Sequence, residues 1–326
     1  LSGRMLAGTN STASCDRRFF ICATLLLSLT FSLGAWLRDL AIIPPGPITA
    51  VYEVTKSLWE HGSLTPRHFI SSFEEAAALS KDSRSDVWQD VFALDSAGNL
   101  KPKHSIFSSI AAVPFYAMFG IAGFWLLQQI CLIVLLYSTY LLVEDETSIS
   151  LPWSTLIATC FLSPTFFYSY TFSYDLHGCA LLIGGLCLSR RFPASGGFIM
   201  ALSVFVRPSY VLLVMPLCIC RRGLPSWSAV TWGALTAGGL LLAFNQLLWG
   251  NPFSTSYSRL PMFHNGTMIL SHHPLGFDLS TLLSNWSTKL VGPAGLLPFN
   301  LALLGLPWVV TELLRNRERT FLWMCF

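Results

Sequence analysis

The chain has 326 residues, of which 53% are hydrophobic and only 11% charged, with a mean hydropathy of +0.56. A soluble domain carries about 25% charged residues, so a water-facing surface of ordinary extent is excluded. The 20 Lys and Arg against 17 Asp and Glu leave a net charge of +3, too balanced for a nucleic-acid binder. Apolar runs of spanning length place the chain among all-α, polytopic helical membrane proteins. The nine cysteines are scattered without a metal-type repeat and read as small apolar fillers.

The first span is expected over residues 19–37, with Arg17 and Arg18 before it, which sets the N-terminus in the cytoplasm. No small-residue cleavage site follows that run, so it does not read as a cleavable signal. Residues 38–104 then form the first extracytoplasmic loop, rich in carboxylates (Glu53, Glu60, Glu74, Glu75, Asp82, Asp86, Asp90 and Asp95). Two stretches read as amphipathic helices lying on the outer membrane surface. In 48–59, Ile48, Val51, Tyr52, Leu58 and Trp59 cluster near one face; in 105–119, Ile106, Ile110, Pro114, Phe115 and Met118 do the same. Residues 71–103 are expected as loop or short helix.

Further spans are expected at 121–143, 153–172 and 176–188, with the Ser173-Tyr174-Asp175 turn outside. Arg190-Arg191 and Arg221-Arg222 flank the apolar segment 194–220. A single span there would strand one arginine pair outside, and the Arg315/Arg317/Arg319 cluster as well. A re-entrant hairpin turning at Arg207-Pro208-Ser209 keeps all three clusters in the cytoplasm. Each arm, of about 12 residues and about 18 Å, is too short to cross a core of ~30 Å. Residues 227–249 then lead out, 250–289 form a second extracytoplasmic loop, and 290–310 return. All seven histidines fall at or beyond the outer boundary. The 1–326 chain thus reads as one transmembrane domain. Its start at Leu1 and its end at Phe326 inside the fresh apolar run 320–326 are those expected of a fragment of something longer.

Six stretches each resemble, in this order, a local pattern of a known superfamily: YEVTKSLWEHGSL (52–64), KHSIFSSIAAVPFYAMFG (103–120), SPTFFYSYTFSYD (163–175), ALSVFVRP (201–208), FNQLLWGNPFSTSYS (244–258) and KLVGPAGLLPFN (289–300). Taken together they resemble membrane glycosyltransferases of the GT-C fold, which include protein O-mannosyltransferases and the lipid A aminoarabinose transferase. The resemblance covers nearly the whole chain. It implies transfer of a sugar from a polyprenyl-phosphate donor to a lipid, glycan or protein acceptor on the extracytoplasmic face. The setting would be a bacterial inner membrane or a eukaryotic secretory membrane, with membrane lipids and other membrane subunits as the partners to expect and a divalent metal ion as the cofactor to test.

One departure bears on activity. Family members carry an aspartate a few residues before the tyrosine of the first surface helix, whereas Gly46 to Val51 hold no carboxylate here. The nearest acids are Asp39 and Glu53, either of which is a candidate replacement for the base that activates the acceptor. Glu53 also suits an ordinary solvated helix face beside Lys56, and Asp39 a boundary ion pair with Arg38. Asp175, with His177 two residues on, pairs a carboxylate and an imidazole suited to a metal or a phosphate, or to a plain polar turn. Arg207 at membrane depth costs ~2.5–3.5 kcal/mol, so it needs a partner or a wet cavity, where a lipid phosphate would pair with it. Lys103, His104, Tyr257 and Arg259 complete the candidate phosphate contacts; Lys103-His104 and Arg259 suit interfacial anchoring equally. His272-His273 reads as plain loop because adjacent side chains diverge. A non-catalytic subunit that kept the fold is the alternative function. A transporter is weaker, for want of an inverted repeat.

Overall fold

The computed structural model describes residue 26 and residues 47–64, 92–95, 100–103, 106–147, 172–211, 213–214, 227–254, 261–264 and 267–270. The described part is mostly helical: α1 (Pro47–His61), α2 (Ile106–Phe119), α3 (Ala122–Thr147), α4 (Tyr174–Leu188), α5 (Pro193–Val206) and α6 (Trp227–Trp249). Each packs on the next in sequence where both are described, so α1, α2, α3, α4, α5 and α6 follow one another in space, and α5 also reaches back to α2. The expected spans at 19–37, 153–172 and 290–310 fall almost wholly outside the described residues, as does most of the return arm of the 194–220 segment.

Local chemistry sets the helix ends. Gly120 and Gly250 adopt φ of 57° and 70°, and their N–H groups bond back to the Tyr116 and Gln246 carbonyls at 2.8 and 3.0 Å. This left-handed cap is cheap only for glycine, and it stops α2 and α6. Ser173 caps α4, its Oγ accepting from the Asp175 N–H at 3.2 Å. Arg207 ends α5 with extended backbone because a proline follows it.

Two helices, Ala122–Leu142 within α3 and Trp227–Trp249, are long and apolar enough to cross a membrane. The buried residues are mainly hydrophobic, but several polar side chains are buried with them and some large apolar ones are exposed. Thr55, Ser57, Ser108, Ser109, Gln128 and Ser203 are buried, while Trp232 is 69% and Leu247 84% exposed. Buried hydroxyls bond to backbone: Thr55 Oγ1 to the Val51 carbonyl at 2.7 Å, Ser203 Oγ to the Met200 carbonyl at 2.7 Å.

α1 and α2 show the same mixture. The α1–α2 contact uses small and hydroxyl residues: Thr55 Oγ1 lies 3.2 Å from the Ser109 carbonyl, and Ser109 Oγ donates to the Val51 carbonyl at 3.3 Å. The large apolar side chains Trp59, Ile110, Met118 and Phe119 point outward. Small residues also set the α4–α5–α6 packing. A Cβ at Gly185 would overlap the Met200 backbone, one at Gly197 the Val230 carbonyl, and one at Gly233 the Ala194 carbonyl.

One expectation is corrected outright. Part of 71–103, expected as loop or short helix, is an antiparallel hairpin of β1 (Phe92–Leu94) and β2 (Leu100–Pro102), with Leu94 opposite Leu100. The intervening Asp-Ser-Ala-Gly-Asn is turn chemistry that favours a hairpin over a helix. A second hairpin, β3 (Pro261–His264) and β4 (Thr267–Leu270), lies in the expected second loop. Its His264–Thr267 pairing flanks the sequence Asn265-Gly266, the strongest short hairpin signal.

Candidate functional site

α4 and α5 form an antiparallel hairpin closed at Ser189–Phe192 and open where the first turn of α4 meets the last turn of α5. Fifteen residues of α4 span about 22 Å at ~1.5 Å per residue, so the open end lies that far from Arg190-Arg191. At this open end Arg207 Nη1 stands 3.1 Å from Asp175 Oδ1. The contact is ionic rather than a directed hydrogen bond, since Asp175 Oδ1 accepts none among the described residues. The guanidinium also lies over the Tyr174 ring, 5.5 Å from its centroid. The Arg207 side chain is 43% exposed and that of Asp175 24%. Asp175 sits where the α4 dipole favours a negative charge.

The pair sits on the rim of an aromatic cluster. Val206 and Tyr174 pack with Phe172, Phe124, Val51 and Ala112, with Tyr52 and Tyr116 against them. Phe172 meets Phe124 edge-on at 4.9 Å, and Phe124 meets Tyr52 at 5.6 Å. Through these rings the Arg207–Asp175 end is joined to α1, where half-buried Glu53 follows Tyr52. Partial burial and a hydrogen bond to Tyr52 push the Tyr116 phenol up to about 12, and the charges of Glu60 and Glu53 add to the rise. Tyr116 therefore stays protonated, and Glu53 is electrically part of the cluster's edge.

His177 does not join Asp175. Its ring is 3% exposed, with Nδ1 3.1 Å from Ser108 Oγ and its face edge-on to Phe172 at 5.0 Å. Nε2 is buried with no hydrogen-bond partner among the described residues. The Asp175/His177 pairing expected for a metal is thus split between two neighbours, and no group of three or more His, Cys, Asp or Glu gathers among the described residues.

Lys103 follows β2, half-buried and just ahead of α2. Asp39, His104, Tyr257 and Arg259 lie outside the described residues. The Gly250-Asn251-Pro252 stretch is a local cap: Asn245 Nδ2 donates to the Pro252 carbonyl at 3.1 Å, and the Phe253 N–H to Asn251 Oδ1 at 2.9 Å. Its residues are accounted for by that turn.

Tyr210 went unnoticed in the sequence. Its hydroxyl donates to the Asp175 carbonyl at 3.1 Å and lies 3.3 Å from Cys179 Sγ. The available signal was its position three residues after Arg207, at the end of the 3₁₀ turn Pro208–Tyr210. No family model, no curated protein and no solved structure matches the chain.

Proposed function

We propose that the chain is a multi-pass membrane glycosyltransferase of the GT-C type, moving a sugar from a polyprenyl-phosphate donor to an acceptor at the extracytoplasmic face. The observation that carries this reading is the half-exposed Arg207 paired with Asp175 at the open end of a hairpin of short apolar helices. An ion pair this exposed adds only about 0–1 kcal/mol to stability. An arginine at membrane depth costs ~2.5–3.5 kcal/mol unless it faces a wet cavity, and this side chain is 43% exposed. Stability therefore gives a weak reason for Arg207, and recognition of an anion at a wet site gives a strong one.

In this reading Arg207 takes up the negative charge that develops on the departing lipid phosphate. Asp175 holds the guanidinium in place, and Tyr174 supports it from below. Glu53, at the edge of the same aromatic cluster, is the candidate to accept the proton of the acceptor hydroxyl. Membrane topology follows the same proposal: Arg190-Arg191 cytoplasmic, the Arg207–Asp175 end toward the outside, and 194–220 re-entrant. The test is transfer of a radiolabelled sugar from a polyprenyl-phosphate sugar by the purified chain in nanodiscs. Loss of transfer on Arg207→Ala, with the protein still folded, supports it.

The second reading, a non-catalytic subunit, is favoured by one observation: the first turn of α1 holds no acidic residue where the resembling enzymes carry theirs. A wild-type chain that binds polyprenyl phosphate without transferring sugar would select it.

A further inference from the structure

We infer that Tyr210 is a positioning residue that latches the open end of the α4–α5 hairpin and so holds Arg207 on Asp175. The 3₁₀ turn Pro208–Tyr210 puts Arg207 and Tyr210 on one side, and both grip the first turn of α4. Arg207 takes the Asp175 carboxylate, and the Tyr210 hydroxyl takes the carbonyl of the same residue. Having donated its one proton there, the Tyr210 oxygen is left as acceptor for the Cys179 thiol at 3.3 Å. The ring lies flat on α4 because residue 178 is glycine: a Cβ there would overlap the Tyr210 ring and lie 2.9 Å from its hydroxyl oxygen. Tyr210, Gly178 and Cys179 thus form one contact that ties a short, proline-broken turn to the helix bearing Asp175. Beside it, the turn after Arg207 is fixed by short-range backbone bonds, from the Tyr210 N–H to the Arg207 carbonyl at 3.0 Å and from the Val211 N–H to the Pro208 and Ser209 carbonyls.

The latch stands on geometry alone; its effect on sugar transfer rests on the transferase reading. The first experiment is independent of activity. Alkylation of Cys179 by N-ethylmaleimide is followed by peptide mass spectrometry in detergent, for wild type, Tyr210→Phe, Arg207→Ala and the double variant. Tyr210→Phe keeps the ring and the fold, so its effect reports the hydroxyl. Each single variant should speed alkylation several-fold, and the double variant should be no faster than the faster single, because the latch opens as one unit. An unchanged rate in Tyr210→Phe, or effects that multiply, overturns the inference. The second experiment is transfer. Tyr210→Phe should lower kcat/KM about three- to tenfold, the worth of one neutral hydrogen bond, and add nothing to Arg207→Ala. A merely structural tyrosine would instead add its loss to that of Arg207→Ala. A wild-type chain with no transfer at all would refute the transferase reading and leave the alkylation result to decide the latch.

Discussion

The sign of a glycine-to-alanine substitution should invert between two faces of one helix pair. At Gly197 on α5, an added Cβ would overlap the Val230 carbonyl oxygen of α6 and lie 2.8 Å from its carbon, where real Cβ atoms stay beyond 3.0 Å. The obstacle is backbone, so the side chain cannot turn away and the two helices must part. Overpacking of this kind costs about 1–3 kcal/mol. A clash with backbone belongs at the upper end of that cost, and removing a helical glycine returns at most ~1 kcal/mol of propensity, so Gly197→Ala should lose about 2 kcal/mol net. At Gly239 on α6 a Cβ meets nothing within 4 Å. There only the propensity gain remains, and Gly239→Ala should be neutral or more stable by up to ~1 kcal/mol. Thermal unfolding in one detergent, followed by intrinsic fluorescence for wild type and both variants, measures the contrast. Gly197→Ala as stable as wild type, or Gly239→Ala as damaged as Gly197→Ala, would refute helix packing through Gly197.

Three more expectations follow from named contacts. Ser108→Ala removes the group facing His177 Nδ1 at 3.1 Å inside the protein, which should cost about 1–3 kcal/mol in the same unfolding assay; an unchanged midpoint would show the contact idle. In single-tryptophan variants in brominated-lipid vesicles, Trp232 at 69% exposure should be strongly quenched and Trp249 at 3% spared, whereas equal quenching would remove the case for a lipid-facing α6. Cysteines placed next to Arg191 and Arg222 should both react with an impermeant reagent from the cytoplasmic side, and labelling from opposite sides would replace the re-entrant segment by a single span.

How far the fold was legible depended on whether the signal was local. The bounds of α6 and the break of α5 at Arg207-Pro208 follow from hydropathy and from the restriction that proline puts on the residue before it. Arg207's need for a partner followed from the cost of a charge at depth, and Asp175 fills it across 32 positions of sequence. Periodicity grouped the apolar residues of α1 and α2 but left open which residues pack between the two helices. Thr55, Ser57, Ser108 and Ser109 are buried, while Met118 and Phe119 face out. The two β-hairpins were masked by the strong helical composition, although Asn265-Gly266 marked one of them. The departure of His177 toward Ser108, 69 positions away, was beyond any local pattern. So was the seat of Tyr210 against Gly178, which needs the packed α4–α5 pair.

Sugar transfer in nanodiscs is the measurement that decides most. The purified chain is given a polyprenyl-phosphate sugar and membrane-derived acceptors, and labelled product is counted for wild type, Arg207→Ala and Asp175→Asn. Loss of a group that stabilises developing charge typically lowers the rate about 10²–10³-fold. Wild type should therefore transfer sugar, and both variants should fall at least about a hundredfold while eluting and melting as folded proteins. Wild-type transfer that survives both substitutions would contradict a phosphate site at Arg207, and a wild-type chain that transfers nothing would contradict the enzyme.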